Sequence, residues 1–372
     1  MMQNKNSINS YLTEQIITYI GNKRKLLPYI EATVKDIQRI LGKDQMVCAD
    51  LFSGSGVVAR MLKQYSSTII TNDMEDYSKL INECYLTNES DFNESKYQDY
   101  KKKLDRYCKK LCKGIIAENY APADDRHIKD GERVFYTTRN AMYIDTAMKY
   151  ILKNIESDYQ KFFIAPLLYE ASVHANTSGI FKGFYKNSET GIGQYGGNAK
   201  NCLERITSDI EIKHPIFSPY NAKHIALQGD TNEIVKELHN IDIAYLDPPY
   251  NQHGYGSNYF MLNTILNYKL GDNLSKVSGI PNDWNRSNYN KKSTVLESMT
   301  SLINDLDSSY IIISYNNEGF ISKNSMVQML KSFGSIKTVS IKYNTFRGSR
   351  NLQDRSQYVN EYLFILHKNK GD

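Results

Sequence analysis

The sequence predicts an α/β fold, a mostly parallel sheet carrying a large insertion, and three observations support it. Short apolar runs alternate with helical patterns at both ends of the chain, as βαβ units require. Two longer apolar runs, 336–343 and 360–366, close the chain around a polar, Arg-containing segment, which reads as an antiparallel hairpin at a sheet edge. The middle of the chain shows neither pattern. At 372 residues the chain also exceeds the usual size of a single domain, so an insertion or a second domain is expected.

Taken in order, residues 46–51 (MVCADL) read as a buried strand and 57–65 as the helix after it. Residues 67–71 (STIIT) are a second strand, again followed by a helical pattern. Further strands are expected at 224–227, 241–246 and 310–314. Residues 97–113 are rich in Lys and Tyr and helical in period, whereas 176–201, full of Gly, Asn, Ser and Tyr, have no period and read as loops. The insertion therefore spans 91–221, leaving 11–90 and 222–372 as the sheet domain.

Composition narrows the class only a little. Hydrophobic residues make up 41% and charged residues 23%, as in an ordinary soluble globular protein. A net charge of +5 is compatible with nucleic acid without pointing to it. Cys48, Cys84, Cys108, Cys112 and Cys202 include no second Cys/His pair at metal-ligand spacing, so free thiols and no metal are expected. The first ten residues are polar and no apolar run approaches membrane-spanning length, which makes the cytoplasm the expected location.

The strongest motif is Asp247-Pro248-Pro249-Tyr250, directly after the apolar run 241–246. With Pro usage near 5%, this tetrapeptide arises by chance in roughly one chain of this length in a thousand. It stands at the carboxyl end of a strand, where α/β sheets place their ligands. Two prolines remove two N–H donors, so the local carbonyls and the Asp247 carboxylate form an acceptor-only cluster. An exocyclic amine has two N–H donors to give it. Tyr250 adds a flat face on which a base can stack.

A second motif, Asp50-Leu51-Phe52-Ser53-Gly54-Ser55-Gly56, lies between the first strand and its helix. Glycines there let the backbone approach a ligand, and the helix N-terminus offers free N–H groups. The motif lacks the third glycine of a dinucleotide fingerprint and the Lys-Ser/Thr of a P-loop, which disfavours NAD and nucleoside triphosphates. Asp73, just past the second strand, is placed either to accept ribose hydroxyls or to cap the next helix.

Together these two motifs, in this order, resemble the Dam-like (alpha-group) DNA adenine-N6 methyltransferases. The stretch Tyr19-Ile20-Gly21-Asn22-Lys23-Arg24-Lys25 is similar to that family's N-terminal S-adenosyl-L-methionine (AdoMet) segment. Gly229-Asp230 is similar to the motif whose Asp contacts the AdoMet adenine. Residues 176–183 (NTSGIFKG) partly match a family Asn-x-x-Gly-x-Phe segment and depart from it afterwards. Residues 251–264 and Ser314-Tyr315-Asn316-Asn317-Glu318-Gly319 resemble FokI-type modification methyltransferases of restriction systems. The match is weak from 91 to 170.

The resemblance implies an AdoMet-dependent Rossmann-like seven-stranded sheet whose last strand is antiparallel, with 91–221 as an inserted target-recognition region. It implies cofactor contacts from Tyr19, Gly21, Lys23, Asp50, Phe52, Ser53, Gly54, Ser55, Gly56, Asp73, Asp230 and Asp247, and catalysis at Asp247, Pro248, Pro249 and Tyr250. The implied partner is double-stranded DNA, with any cognate restriction endonuclease a separate chain. Asn176, Ser178, Lys182 and Tyr185 are the candidates for reading base edges, and Arg347, Arg350 and Arg355 for gripping phosphates. Lysines 101–103, 109, 110 and 113 read first as a solvated helix face.

The expected reaction is methylation of N6 on a flipped adenine. Three alternatives stay open on the sequence: an N4-cytosine methylase, whose motif more often begins with Ser; an RNA adenine methyltransferase; and a catalytically silent DNA-binding subunit, against which the intact Asp247 and glycine loop argue.

Overall fold

The computed structural model describes residues 11–18, 21, 23–197, 202–344 and 358–369. Seven strands form one sheet: β1 (Met46–Asp50), β2 (Ser66–Asp73), β3 (Lys223–Gln228), β4 (Ile241–Leu246), β5 (Ser308–Asn316), β6 (Gly334–Asn344) and β7 (Tyr358–Lys368). Their spatial order is β3-β2-β1-β4-β5-β7-β6. The first five run parallel, and β7 enters antiparallel between β5 and β6. This is the Rossmann-like sheet that the sequence led us to expect, with its antiparallel strand at the expected edge. β4 coincides with the apolar run 241–246. Every one of its residues is buried because both faces of the sheet are covered.

Each face has its own core. Alternation along the strands sends Cys48, Ile69, Ile243, Tyr245, Ile312, Leu363 and Ile365 to one side, against helices Leu27–Leu41 and Val57–Leu62. Their neighbours Ala49, Ile70, Ala244, Leu246, Ile311, Ile313 and Phe364 meet helices Val295–Asp305 and Lys323–Lys331 on the other. The helix Leu27–Leu41 follows from its sequence. Ile30, Val34 and Ile37 recur at helical spacing, Pro28 stands in the first turn, and Gly42 ends it in the left-handed region at φ 62°. The helix expected over 57–65 is α-helical to Leu62 and tightens into a 3₁₀ turn over Lys63–Tyr65.

The middle segment is mainly helical. The Lys- and Tyr-rich helix runs Glu94–Tyr107, capped by Asn93, whose side chain accepts from Lys96 N. Lys101–Asp105 and Lys103–Asp99 pairs, both 2.6 Å, make its outer face the solvated one anticipated. Two longer helices, Thr138–Asn154 and Ser157–Val173, were not legible as such. Residues 176–197 form loops apart from one isolated bridge, Lys186 to Gly193.

These helices do not pack alone. Tyr97, Phe135, Ile144 and Phe163 share one continuous core with Tyr77, Ile81 and Tyr85 of helix Asp76–Tyr85 and with Phe260 and Ile265 of helix Phe260–Asn267. The segment 268–284 is also drawn in: Tyr120 Oη donates to Gly279 O (2.8 Å), and Tyr268 Oη donates to Asp145 (3.0 Å).

Candidate active site

Strand order reverses between β1 and β4, the point at which open parallel sheets hold ligands beyond their carboxyl ends. The turns after β1 and β4 face each other there across a cleft. Gly21, Lys23, Asp50, Phe52, Ser53, Gly54, Ser55, Asp73, Asp230, Asp247 and Pro249 all line it. Gly56, Pro248 and Tyr250, adjacent to these in sequence, are not among the lining residues. Tyr19, Arg347, Arg350 and Arg355 lie outside the described residues.

The glycine loop is held rigidly from below. Ser53 N donates to Asn72 O (2.9 Å), Gly54 N to Asp73 Oδ2 (2.8 Å), and Ser78 Oγ to Gly54 O (2.7 Å). Gly56 opens the following helix at φ 70°, and a Cβ there would come within 2.4 Å of Asn82 Oδ1. Only glycine fits both requirements. Asp73 holds two backbone amides, with Oδ1 accepting from Glu75 N at 3.0 Å, so its carboxylate braces the loop as well as facing the cleft.

Asp50 is 1% exposed, and its Oδ1 has no hydrogen-bond partner among the described residues. Burial, with Asp247 and Asp73 nearby, pushes its carboxyl well above the usual range, while the amides of Ala59 and Phe52 pull the other way. An orphaned acceptor on a cleft wall calls for a donor from a ligand. Asp230 caps the short helix Thr231–Ile234, accepting from Asn232 N (3.0 Å), with one edge toward the cleft.

Asp247 follows the last residue of β4 and meets the amino-terminal segment. Lys23 Nζ donates to Asp247 Oδ1 at 3.1 Å, and Lys23 is only 5% exposed. Burial raises the Asp247 carboxyl to about 6, with Lys23 opposing the shift and Glu361 adding to it. Burial alone would lower the Lys23 ammonium, but Asp247 and Glu361 together hold it well above its ordinary value. The Tyr250 ring lies edge-on to Tyr315 at 6.1 Å, and its carbonyl accepts from Phe320 N (3.0 Å). The turn after β5, singled out in the sequence, thereby fixes the turn after β4.

Several lining residues escaped the sequence reading. Glu75 is 3% exposed and takes hydrogen bonds from Asn263 (2.7 Å) and Asn285 (3.4 Å). Burial beside Asp73 pushes its carboxyl up to about 8. Asn285, Ser287, Tyr289 and Asn290 close one side of the cleft, where Tyr289 meets Phe52 edge-on at 5.2 Å and donates to Asn232 (2.7 Å). No period or motif marks 285–290. Its one distinguishing signal is the chain's single tryptophan, Trp284, just before it.

The residues expected to read bases divide. Asn176 is fully buried. Its amide donates to Val134 O and Gln194 O and accepts from Gly196 N, so it anchors a loop and presents nothing to a base. Ser178 and Lys182 are exposed and Tyr185 half-buried. Their loop is tied to the turn after β4, through Phe181 N to Asn258 O (2.7 Å), and to 268–284, through Ser278 Oγ to Lys182 O (2.6 Å).

Comparison with known proteins decides the family. Residues 19–329 match the model of the D12 class N6 adenine-specific DNA methyltransferases. The chain belongs to that class. This enzyme is 30% identical to the type II methyltransferase M.NlaIII of Neisseria lactamica, over 95% of its own length and 99% of the relative's. It is 29% identical to M.CviAII of Paramecium bursaria Chlorella virus 1, over 94% and 98%. M.FokI of Planomicrobium okeanokoites, at 27%, is matched over 94% of this methyltransferase but only 52% of its own chain. The D12 enzyme is therefore an adenine-specific DNA methyltransferase, and no helix among its described residues is long and apolar enough to cross a membrane.

Proposed function

We propose that this methyltransferase uses AdoMet to methylate N6 of an adenine turned out of double-stranded DNA at a fixed sequence. The observation that carries this reading is Asp247: a half-buried carboxylate at the switch point, lining the cleft, with Lys23 as its ion-pair partner among the described residues.

The cleft fits AdoMet chemically. Asp50, Asp73, Glu75, Asp230 and Asp247 line it with carboxyl groups that a cationic ligand would favour in their ionised form. Lys23 is the one cation among the described lining residues, which suits a ligand carrying a sulfonium and an ammonium. The orphaned Asp50 Oδ1 would take an ammonium N–H, the Gly54–Gly56 turn would admit the ligand's backbone-like end, and Phe52 with Tyr289 would face its adenine. When bound, AdoMet supplies an electrophilic methyl group.

The protein's own part is positioning and electrostatics. The N6 lone pair of adenine is delocalised into the ring. Asp247 and the Pro248 carbonyl, accepting both N–H donors, would draw that lone pair out of conjugation and aim it into the cleft. Asp247 then offsets the positive charge that grows on nitrogen. Tyr250 would hold the base by its face once it has left the stack, as a base inside a duplex is out of reach. The acidic cleft itself repels phosphates, so the backbone stays outside, where the 177–186 loop with Lys182 is placed to meet it.

We assign 91–221 together with 268–290 to target recognition. The restriction-modification context of the named relatives supports a modification role, with any nuclease a separate chain and the work done in the cytoplasm. The test is direct: purified enzyme is given labelled AdoMet with unmethylated duplex DNA or with RNA, and the products are digested to nucleosides. N6-methyladenine from duplex DNA alone is expected. Label on RNA adenine instead, or in N4-methylcytosine, would overturn the substrate assignment.

A further inference from the structure

A second carboxylate stands beside the Asp247–Lys23 pair, and the mechanism so far gives it no work. Glu361 lies in β7 on the same face as Leu363 and Ile365, the face that packs on helix Leu27–Leu41. Asp247 continues the alternation of Ile243 and Tyr245 on that face of β4. Lys23 lies one turn before Leu26, which joins the same core and whose amide donates to Lys23 O (2.8 Å). The three groups thus converge on one face at the carboxyl end of the sheet.

Only β5 separates β4 from β7, so the two backbones lie about 10 Å apart laterally. Glu361 stands opposite Asn316, two residues beyond the Ser314 level of Asp247, and the flexible four-carbon stem of Lys23 lets its ammonium move between them. Glu361 is 6% exposed, and its Oε2 has no hydrogen-bond partner among the described residues. A buried carboxylate oxygen without a donor is costly, so Oε2 calls for a donor that reaches it in some state of the enzyme. The Lys23 ammonium is raised by both carboxylates, consistent with its standing between them.

If Asp247 receives the adenine amine, the oxygen now held by Lys23 must be released. We propose that Glu361 is a positioning residue that takes the Lys23 ammonium when the target adenine engages Asp247, so that one buried cation is exchanged between two carboxylates. The exchange keeps Lys23 paired throughout, and it frees Asp247 without exposing a bare ammonium to the reacting amine. This inference rests on the reading of Asp247 as the amine acceptor.

Glu361→Gln keeps the shape and removes the charge. With nothing to receive it, Lys23 stays on Asp247 and competes with the incoming base. At saturating AdoMet the single-turnover rate on duplex DNA at pH 7.5 should fall about ten-fold, one pK unit of differential charge interaction, while AdoMet binding measured by calorimetry is unchanged. The acid limb of the pH–rate profile should move to lower pH. The groups facing Asp247 are Lys23, Glu361, Asp50, Tyr245, Tyr250 and Tyr255, and only the repulsion from Glu361 has been removed.

In a Lys23→Met background Glu361→Gln should add nothing, because the two act as one unit. Wild-type rate and limb in Glu361→Gln, an additive loss in the double variant, or loss of AdoMet binding would each overturn the proposal. Asp247→Asn separates the two levels of the argument. If it keeps wild-type turnover, the amine site itself is wrong; if it is inactive while Glu361→Gln is unimpaired, only the exchange is wrong.

Discussion

At the scale of single residues, the proposed function depends on a carboxylate kept hard to ionise. Asp247 must be an anion to accept its N–H donor and offset the charge on nitrogen, and burial has raised its carboxyl to about 6, against an ordinary value near 4. Below that pH the group carries a proton and donates where it should accept. We therefore expect kcat/KM for DNA to rise with pH through a midpoint near 6, measured in buffers where the fold is intact by circular dichroism. A profile flat down to pH 4.5 would contradict the assignment. Asp247 and the glycine loop were legible because their chemistry is local: a residue type at a fixed place in a turn. The Lys23 pairing was not, since Lys23 and Asp247 are far apart in sequence and only the fold brings them together. Asn176 shows the converse. Its match to a family segment was visible, but burial, which no local pattern reveals, turned its amide inward.

At the scale of elements, the strands were read closely because each is an apolar run covered on both faces or alternating against a helix layer. Where the reading fell short, tertiary contacts decide the structure. Helix Ser157–Val173 carries buried residues around much of its circumference, so no single apolar stripe marks it. Helix Thr138–Asn154 does have a stripe, Ala141, Ile144, Ala147, Met148 and Ile151, which the sequence reading missed. The wall 285–290 has no period at all and takes its shape from what it packs against. The turn after β1 is the element most exposed to a single change. Gly56→Ala forces a side chain into the left-handed region, at about 1–2 kcal/mol, and drives its Cβ into Asn82. Urea unfolding should show at least that loss, accompanied by weaker AdoMet binding. An alanine variant with wild-type stability and affinity would mean that the turn is less rigid than its hydrogen bonds indicate.

At the scale of the whole molecule, the insertion and the sheet domain are one packing unit. A change of pattern suggested boundaries at 91 and 221, but the shared core was not legible, because it joins residues distant along the chain. Phe135, fully buried, meets Phe260 from the turn-β4 side at 6.2 Å and Phe184 of the 177–186 loop at 5.2 Å. Phe135→Ala should cost about 3–5 kcal/mol and lower one common transition, seen identically by circular dichroism and by Trp284 fluorescence beside the cleft. Two separated transitions would show that recognition and catalytic regions fold independently. On the proposed reading, this coupling would give the 177–186 loop a rigid attachment to Asp247, which a reaction governed by positioning requires.

The central claim is that Asp247 holds the adenine amine and does not hold the cofactor. Its most direct test is Asp247→Asn, assayed for AdoMet binding by calorimetry and for single-turnover methylation of duplex DNA in the same preparation. The account predicts AdoMet affinity within about three-fold of wild type and a rate lower by about 10²–10³ or more, the loss typical of one removed electrostatic contact to a transition state. Retained turnover with lost AdoMet binding would contradict it.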